Sequence, residues 1–362
     1  MVWTHIHPDF ELEGHKFNAC REFLRYVKEN YPAHFAFLND WCQPDNTLIA
    51  FTSGSTGEPK SIKLDKKAML QSARRTINFF NLKPGKRVLI NLSSDYIAGK
   101  MMWVRALTGG WHVEVSAPDN KHIYQKLKNQ SFDFGAMVPV QVQKNLDFIK
   151  HFKTLIIGGG VVSNRLQKSL EHLPVDIFAT YGMTETVTHI AVKSLSKQAL
   201  YKYNLPTEVY RVFEGIKIDV DDRGCLIIKA PDLNHEPIIT NDVVRLIDKQ
   251  HFQWLGRFDN IINTGGLKFV PEQLEEKIKP LLSQDFFIGS LPHPVLGEEI
   301  VLLVEGKVDK PKLNKLLVKC LGKYEMPKKI IDVAIFLRTP SGKIRRKAIL
   351  QKIKSDPQKE GR

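Results

Sequence analysis

Three stretches of this chain collect the groups that handle a polyphosphate. The first is Thr52-Ser53-Gly54-Ser55-Thr56-Gly57-Glu58-Pro59-Lys60, which follows an apolar run at residues 48–51 that reads as a strand. Glycines let the backbone turn and approach an anion. Free N–H groups and hydroxyls then donate to phosphate oxygens, and Lys60 adds positive charge. It is not a Walker loop, because Pro59 stands where that motif has glycine before lysine. Taken alone, the composition also suits a plain surface turn. The second stretch is Tyr181-Gly182-Met183-Thr184-Glu185-Thr186, after an apolar run at 176–180. It offers an aromatic face for adenine, a hydroxyl for phosphate and a carboxylate for Mg2+, at a strand end, where open α/β sheets bind ligands. The third is Thr339-Pro340-Ser341-Gly342-Lys343-Ile344-Arg345-Arg346. The Lys343 ammonium could stabilise charge building on a transferring phosphoryl group. Between them, Gly158-Gly159-Gly160 ends a further apolar run. Asp242 could accept two hydrogen bonds from ribose hydroxyls, with Arg257 assisting.

The elements that must position these groups alternate. Short apolar runs at 48–51, 87–92, 112–115, 134–138, 154–157 and 176–180 read as strands, and amphipathic stretches at 66–80 and 164–172 read as helices. The expected fold class is therefore α/β, with buried strands covered by helices on both faces. After Tyr201 the runs shorten, as at 217–220 and 225–230 around the turn Asp221-Asp222-Arg223-Gly224. Residues 271–282 read as a helix opened by Pro271, followed by a strand near 301–304 and a helix near 310–321. This places a large N-terminal domain over residues 1–256 and a small, mobile α+β domain over 257–362.

The 362 residues favour two domains. A formal net charge of +14 suits anionic ligands, and much of the excess lies in the last quarter (Lys328, Lys329, Lys343, Arg345, Arg346, Lys347). No zinc-finger or RNA-binding aromatic signature supports nucleic acid as a partner. Cys20, Cys42, Cys225 and Cys320 are far apart with no CxxC pair, so neither a zinc site nor a disulfide framework is expected, and a reducing compartment is. No apolar run reaches the length that spans a bilayer, and the first ten residues lack a secretory pattern, so stable membrane insertion is not expected and a cytoplasmic location is.

In their order, these motifs resemble the signatures of the adenylate-forming (AMP-binding) superfamily, which includes acyl-CoA synthetases, luciferases and peptide-synthetase adenylation domains. The resemblance runs from residue 52 to residue 346. It implies that Thr52, Ser53, Gly54, Ser55, Thr56, Gly57 and Lys60 form the ATP β/γ-phosphate loop. It makes Tyr181, with Gly182, the adenine-stacking residue, Thr184 an α-phosphate contact and Glu185 the magnesium ligand. Gly158, Gly159 and Gly160 would let backbone approach adenine and acid, and Asp242 and Arg257 would hold the ribose. In Gly256-Arg257-Phe258-Asp259-Asn260-Ile261-Ile262-Asn263-Thr264-Gly265-Gly266-Leu267-Lys268, Asp259 would be the hinge, and Gly265 and Gly266 would line a pantetheine tunnel. Lys343 would bridge carboxylate and α-phosphate during adenylation. ATP, Mg2+ and CoA are the implied cofactors and co-substrates, with a small carboxylic acid as partner. The chain departs from the pattern at Asn241, where glycine is usual, and about fifty residues precede the phosphate loop, so it reads as a member shortened in its first subdomain.

For the acid, Asp95-Tyr96-Ile97-Ala98-Gly99-Lys100-Met101-Met102-Trp103-Val104-Arg105 matches the family's substrate strand and helix, with Tyr96 where most members carry histidine. This segment and Met137-Val138-Pro139-Val140-Gln141 look like o-succinylbenzoate–CoA ligases of menaquinone synthesis. That acid is a dianion, which Lys100 or Arg105 could serve, and Tyr96 is a further candidate pocket residue. Another aryl- or fatty-acid–CoA ligase, a carrier-protein adenylation enzyme and an inactive nucleotide-binding protein on the same fold remain open alternatives.

Overall fold

The computed structural model describes residues 6–51, 61–234, 236–339, 342 and 344–355. A 13-stranded mixed sheet dominates it. Its centre is a parallel block in which Asp176–Gly182, Phe152–Ile157, Phe132–Met137, Arg87–Ile90 and His112–Val115 lie side by side. Leu155, Ile156, Ile157, Ile177 and Phe178 are all buried, as near-continuous apolar strands must be when both faces are covered. Helices Lys66–Phe79 and Ile97–Gly109 cover one face, where Met69, Ala73, Met101 and Trp103 join the larger apolar cluster. A separate cluster built on Ile123, Leu127, Leu166 and Leu170 fills the other. Beyond Asp176–Gly182 the sheet turns antiparallel through His189–Ser194, Tyr210–Val212, His251–Arg257 and Ile238–Leu246.

The chain changes sheets between Arg257, the last residue of one strand, and Ile262, the first residue of a five-stranded sheet. Phe286–His293 pairs antiparallel with Gly297–Glu305, which pairs parallel with Lys329–Val333. Helices Pro271–Ile278 and Lys310–Cys320 pack Leu274, Ile278, Leu313 and Leu317 against it. The α+β layer expected after residue 257 is thus present, in the mixed α/β class expected of the whole chain.

Several expectations need correction. The helix expected over 271–282 is α-helical only over Pro271–Ile278 and ends in a 3-10 turn, Lys279–Leu281. Pro280 lacks an N–H and its ring crowds the preceding turn. The run near 48–51 does not join the main sheet. Thr47–Phe51 pairs with Ser61–Asp65 in a separate two-stranded ladder, with Phe51 opposite Ser61. Residues 52–60 therefore connect two paired strands.

Against the expectation of no disulfide framework, Cys20 is bonded to Cys42. Helices Cys20–Asn30 and Pro32–Cys42 form a tight hairpin that brings the first residue of one beside the last of the other. The cysteine argument for a reducing compartment falls with it. Cys225 and Cys320 are free thiols. Next to the bridge, the Lys66 ammonium donates to the carbonyls of Asp40 (2.6 Å), Trp41 (3.1 Å) and Gln43 (2.8 Å). A buried cation thus closes the carbonyl end of helix Pro32–Cys42, where the helix dipole favours positive charge.

Candidate active site

Asp242 is the best-defined polar centre near the ends of the main-sheet strands. It sits on the strand Ile238–Leu246 opposite Arg257 and is 6% exposed. The Tyr181 hydroxyl donates to its Oδ2 at 2.7 Å, and Trp254 Nε1 donates to Oδ1 at 3.1 Å. The Arg257 guanidinium lies 3.5 Å from Oδ1. Burial, then the Asp242 charge, pushes the Tyr181 phenol well above its ordinary range, so it remains a donor. Burial opposes the Arg257 charge, but Asp242 and Asp259 outweigh it and raise its pKa. The Tyr181 ring packs against Tyr210 and Phe252, with centroids 5.7 and 5.1 Å away, which holds its plane.

The strand bearing Tyr181 ends at Gly182, where an added Cβ would meet the His189 Cα and the Thr188 carbonyl, each at 2.4 Å. Only glycine lets the returning strand approach this closely. Thr184–Thr186 then forms a 3-10 turn, with the Thr186 hydroxyl donating to backbone carbonyls and accepting from Met183 N. Glu185 projects from that turn and is exposed, and no described residue bonds its carboxylate. A lone exposed carboxylate suits Mg2+, which takes one or two carboxylates and draws its other ligands from phosphate and water. Gly158 lies at the end of the neighbouring strand, and a Cβ there would meet Thr180 Oγ1 at 2.5 Å.

The expected hinge, Asp259, accepts from Arg257 at 3.0 Å and from Asn241 Nδ2 at 3.3 Å, and Asn241 in turn accepts from Arg223 at 3.0 Å. Asn241, which broke the expected pattern, therefore ties the strand carrying Asp242 to Asp259. Gly265 and Gly266 form the turn between Ile262–Thr264 and Leu267–Phe269, with φ of +57° and +84°. Gly342, with φ +86°, lies so close to Val140 that an added Cβ would stand 2.7 Å from Val140 Cγ2. A cavity of about 380 Å3 is lined by Val140, Gly160, Val161 and Arg165 together with Arg338 and Gly342. The triple-glycine turn thus faces the segment that carries the C-terminal signature. Lys343 and the expected phosphate-loop residues Thr52, Ser53, Gly54, Ser55, Thr56, Gly57 and Lys60 lie outside the described residues.

The three acid-pocket candidates separate. Tyr96 precedes helix Ile97–Gly109 and is 52% exposed. The Lys100 ammonium lies over the Phe37 ring, 4.9 Å from its centre, and burial lowers its pKa. Arg105 is 1% exposed. Its Nε donates to Thr76 Oγ1 (3.2 Å), and Nη2 donates to Thr188 Oγ1 (3.2 Å), two residues past the Tyr181–Thr186 segment. Burial brings its pKa down to about 9, which still leaves it a cation at neutral pH. No carboxylate among the described residues pairs with it. Trp254, Thr76, Thr188 and His189 were not anticipated from the sequence. Trp254 carried a weak signal, lying just before Gly256-Arg257, whereas the others meet Arg105 only through the fold.

Residues 17–225 match the family model described as "AMP-binding enzyme". The chain is 22% identical over 336 residues to a 2-succinylbenzoate–CoA ligase of Lactococcus lactis, covering 88% of this chain and 74% of that protein. It is also 22% identical over 363 residues to a D-alanine–D-alanyl carrier protein ligase of Bacillus mycoides, covering 85% and 71%. Among solved structures, it is similar to an acyl-CoA synthetase (AMP-forming)/AMP-acid ligase II-like protein from Dyadobacter fermentans. The TM-score is 0.60 at 32% identity, over 90% of this chain and 95% of that one.

Proposed function

Because the chain belongs to the AMP-binding enzyme family, we propose that it is an ATP-dependent acid–thiol ligase that makes an acyl-adenylate and then a thioester of CoA. The observation that carries this reading is the buried Asp242 carboxylate, which accepts from Tyr181 and Trp254 and faces Arg257. Asp242 accepts the ribose hydroxyls, and the Tyr181 ring, held by Tyr210 and Phe252, presents a face to adenine. The Thr52–Lys60 loop holds the β- and γ-phosphates. Mg2+ held through Glu185 would neutralise phosphate charge.

In the first half-reaction an acid carboxylate oxygen attacks the α-phosphorus. The bond to the bridging oxygen breaks and pyrophosphate leaves. Lys343 stabilises the charge on the incoming and equatorial oxygens. Positioning supplies the rest of the rate. In the second half-reaction the small domain turns about Asp259, withdrawing Lys343 and bringing in the Gly265–Gly266 turn. The thiol, losing its proton to solvent, then attacks the acyl carbon through sulfur, the acyl carbon–oxygen bond breaks, and AMP leaves with its electron pair.

The acid we favour is o-succinylbenzoate. Arg105 is a buried cation with no carboxylate partner among the described residues, and such a charge is costly unless an anion meets it. A second carboxylate on the substrate meets it, whereas the ammonium of D-alanine would be repelled. Replacing Lys343 with alanine tests the two-step scheme. Acid-dependent pyrophosphate release should be lost while preformed acyl-AMP and CoA still give thioester. Equal loss of both steps would contradict it.

A further inference from the structure

Arg105 is held without being neutralised. Arginine carries five N–H donors and no acceptor, so every partner of its guanidinium must accept. Nη2 lies 3.4 Å from His189 Nδ1 and 3.2 Å from Thr188 Oγ1, and Nε lies 3.2 Å from Thr76 Oγ1. His189 Nδ1 must then carry a lone pair, which places the ring proton on Nε2. That nitrogen is 3.1 Å from Thr76 Oγ1 and donates to it. Thr76 Oγ1 thus accepts twice and sends its own proton to the Ser72 carbonyl at 3.2 Å. Thr188 Oγ1 also lies 3.5 Å from His189 Nδ1 and, in this arrangement, donates to it while accepting from Nη2. A second ring proton would point at the guanidinium, and burial and the Arg105 charge both resist it, holding the His189 pKa well below its usual value. The Phe213 ring packs edge-on to His189 at 5.3 Å and brings no charge.

This bracket uses Nε and Nη2. Among the described residues, Nη1 has only the Met102 sulfur, at 3.8 Å, a weak acceptor. An aspartate at position 189 would orient the guanidinium equally well but cancel its charge, leaving nothing for a ligand anion. A neutral histidine orients it and leaves the charge whole.

Resting on the acid–thiol ligase reading above, we propose that His189, in its Nε2–H form and together with Thr76, is a positioning residue that presents the uncancelled Arg105 charge to a second carboxylate of the acid. His189 thereby sets the preference for dicarboxylic over monocarboxylic acids without touching the acid itself.

Two measurements test this. The first is the ratio of kcat/KM for 2-succinylbenzoate to that for 4-oxo-4-phenylbutanoate, which lacks the ring carboxylate, read by pyrophosphate release. His189→Phe should lower this ratio about tenfold, chiefly through KM for the diacid. His189→Gln, which keeps a donor and an acceptor, should restore most of it. Equal losses on both acids, or an unchanged ratio in His189→Phe, would overturn the proposal. The second needs no turnover. The imidazole 15N shifts of His189, assigned against His189→Gln, should show a protonated Nε2 and a bare Nδ1 at pH 7, and a proton on Nδ1 would overturn the bracket. If the wild type released no pyrophosphate with any of the acids, the ligase reading would fail, while the ring-nitrogen shifts would still decide the bracket.

Discussion

Changing Asp242 to asparagine removes one charge from the candidate ribose site with almost no change in shape. The carboxylate accepts from Tyr181 and Trp254 and faces Arg257. Asparagine keeps one acceptor for Trp254 and turns an NH2 toward Tyr181, whose hydroxyl can accept instead. Hydrogen-bond number therefore nearly survives and charge assistance is lost. A bond to a charged group contributes about 1.5–3 kcal/mol against about 1 for a neutral one, so folding stability should fall by about 1–3 kcal/mol. The same difference applies to the ribose hydroxyls, at about tenfold per 1.4 kcal/mol. We expect the KM for ATP to rise roughly 10- to 100-fold with a smaller change in the KM for the acid. Steady-state pyrophosphate release with ATP and with 2′-deoxy-ATP provides the assay. Wild-type enzyme should discriminate against the deoxy nucleotide, and Asp242→Asn should lose that discrimination. A variant that kept both the wild-type KM for ATP and the full 2′-deoxy penalty would refute the assignment of Asp242 to ribose.

Other perturbations follow from the same contacts. His34 is buried, and burial, only partly opposed by Asp95, lowers its pKa to about 4. The unfolded chain therefore takes up this proton near its ordinary value of 6.5 while the folded chain does not. Stability should fall as pH drops from 6.5 to about 4, by about 3 kcal/mol at most, and His34→Gln should flatten that part of a chemical-denaturation pH series; an unchanged slope would contradict the argument. Reducing Cys20–Cys42, whose partners are 22 residues apart, should lower stability by about 3 kcal/mol, and thiol titration of the unfolded protein should count two groups before reduction and four after. Replacing Asn241 with glycine removes its bonds to Asp259 and Arg223. It should raise amide exchange at residues 257–261 while leaving the Asp242 strand protected, and unchanged exchange there would show that the tie carries no weight.

Much of the site was legible in the sequence because backbone needs spell themselves in glycine. Gly182 and Gly158 stand where side chains would collide with Thr188, His189 or Thr180, and a turn that crowded admits few other residues. Strands such as His112–Val115 and Lys217–Val220 were readable to their ends, the first from an alternating pattern against the core and the second from the hairpin turn at residues 221–224. The helical hairpin Cys20–Cys42 was not read, because Pro32, which opens its second helix, also resembles a break, and that helix is only weakly two-sided. The disulfide was invisible for the same reason. Partners 22 residues apart meet only if both helices exist. The Arg105 bracket was hidden differently. Thr76, Thr188 and His189 come from three places in the chain, and nothing local distinguishes a buried arginine from a surface one. Sequence motifs nominated the nucleotide residues and Arg105, but the partners that hold Arg105 emerged only from packing.

The central claim is that this chain couples ATP cleavage at the α-phosphate to activation of an acid. It is tested most directly by exchange of radiolabelled pyrophosphate into ATP, measured with purified protein, Mg2+ and a panel of acids in the absence of any thiol. The account predicts exchange that depends on the acid, is strongest with 2-succinylbenzoate and is abolished by Lys343→Ala. Folded protein that binds ATP yet shows no exchange with any acid would contradict it.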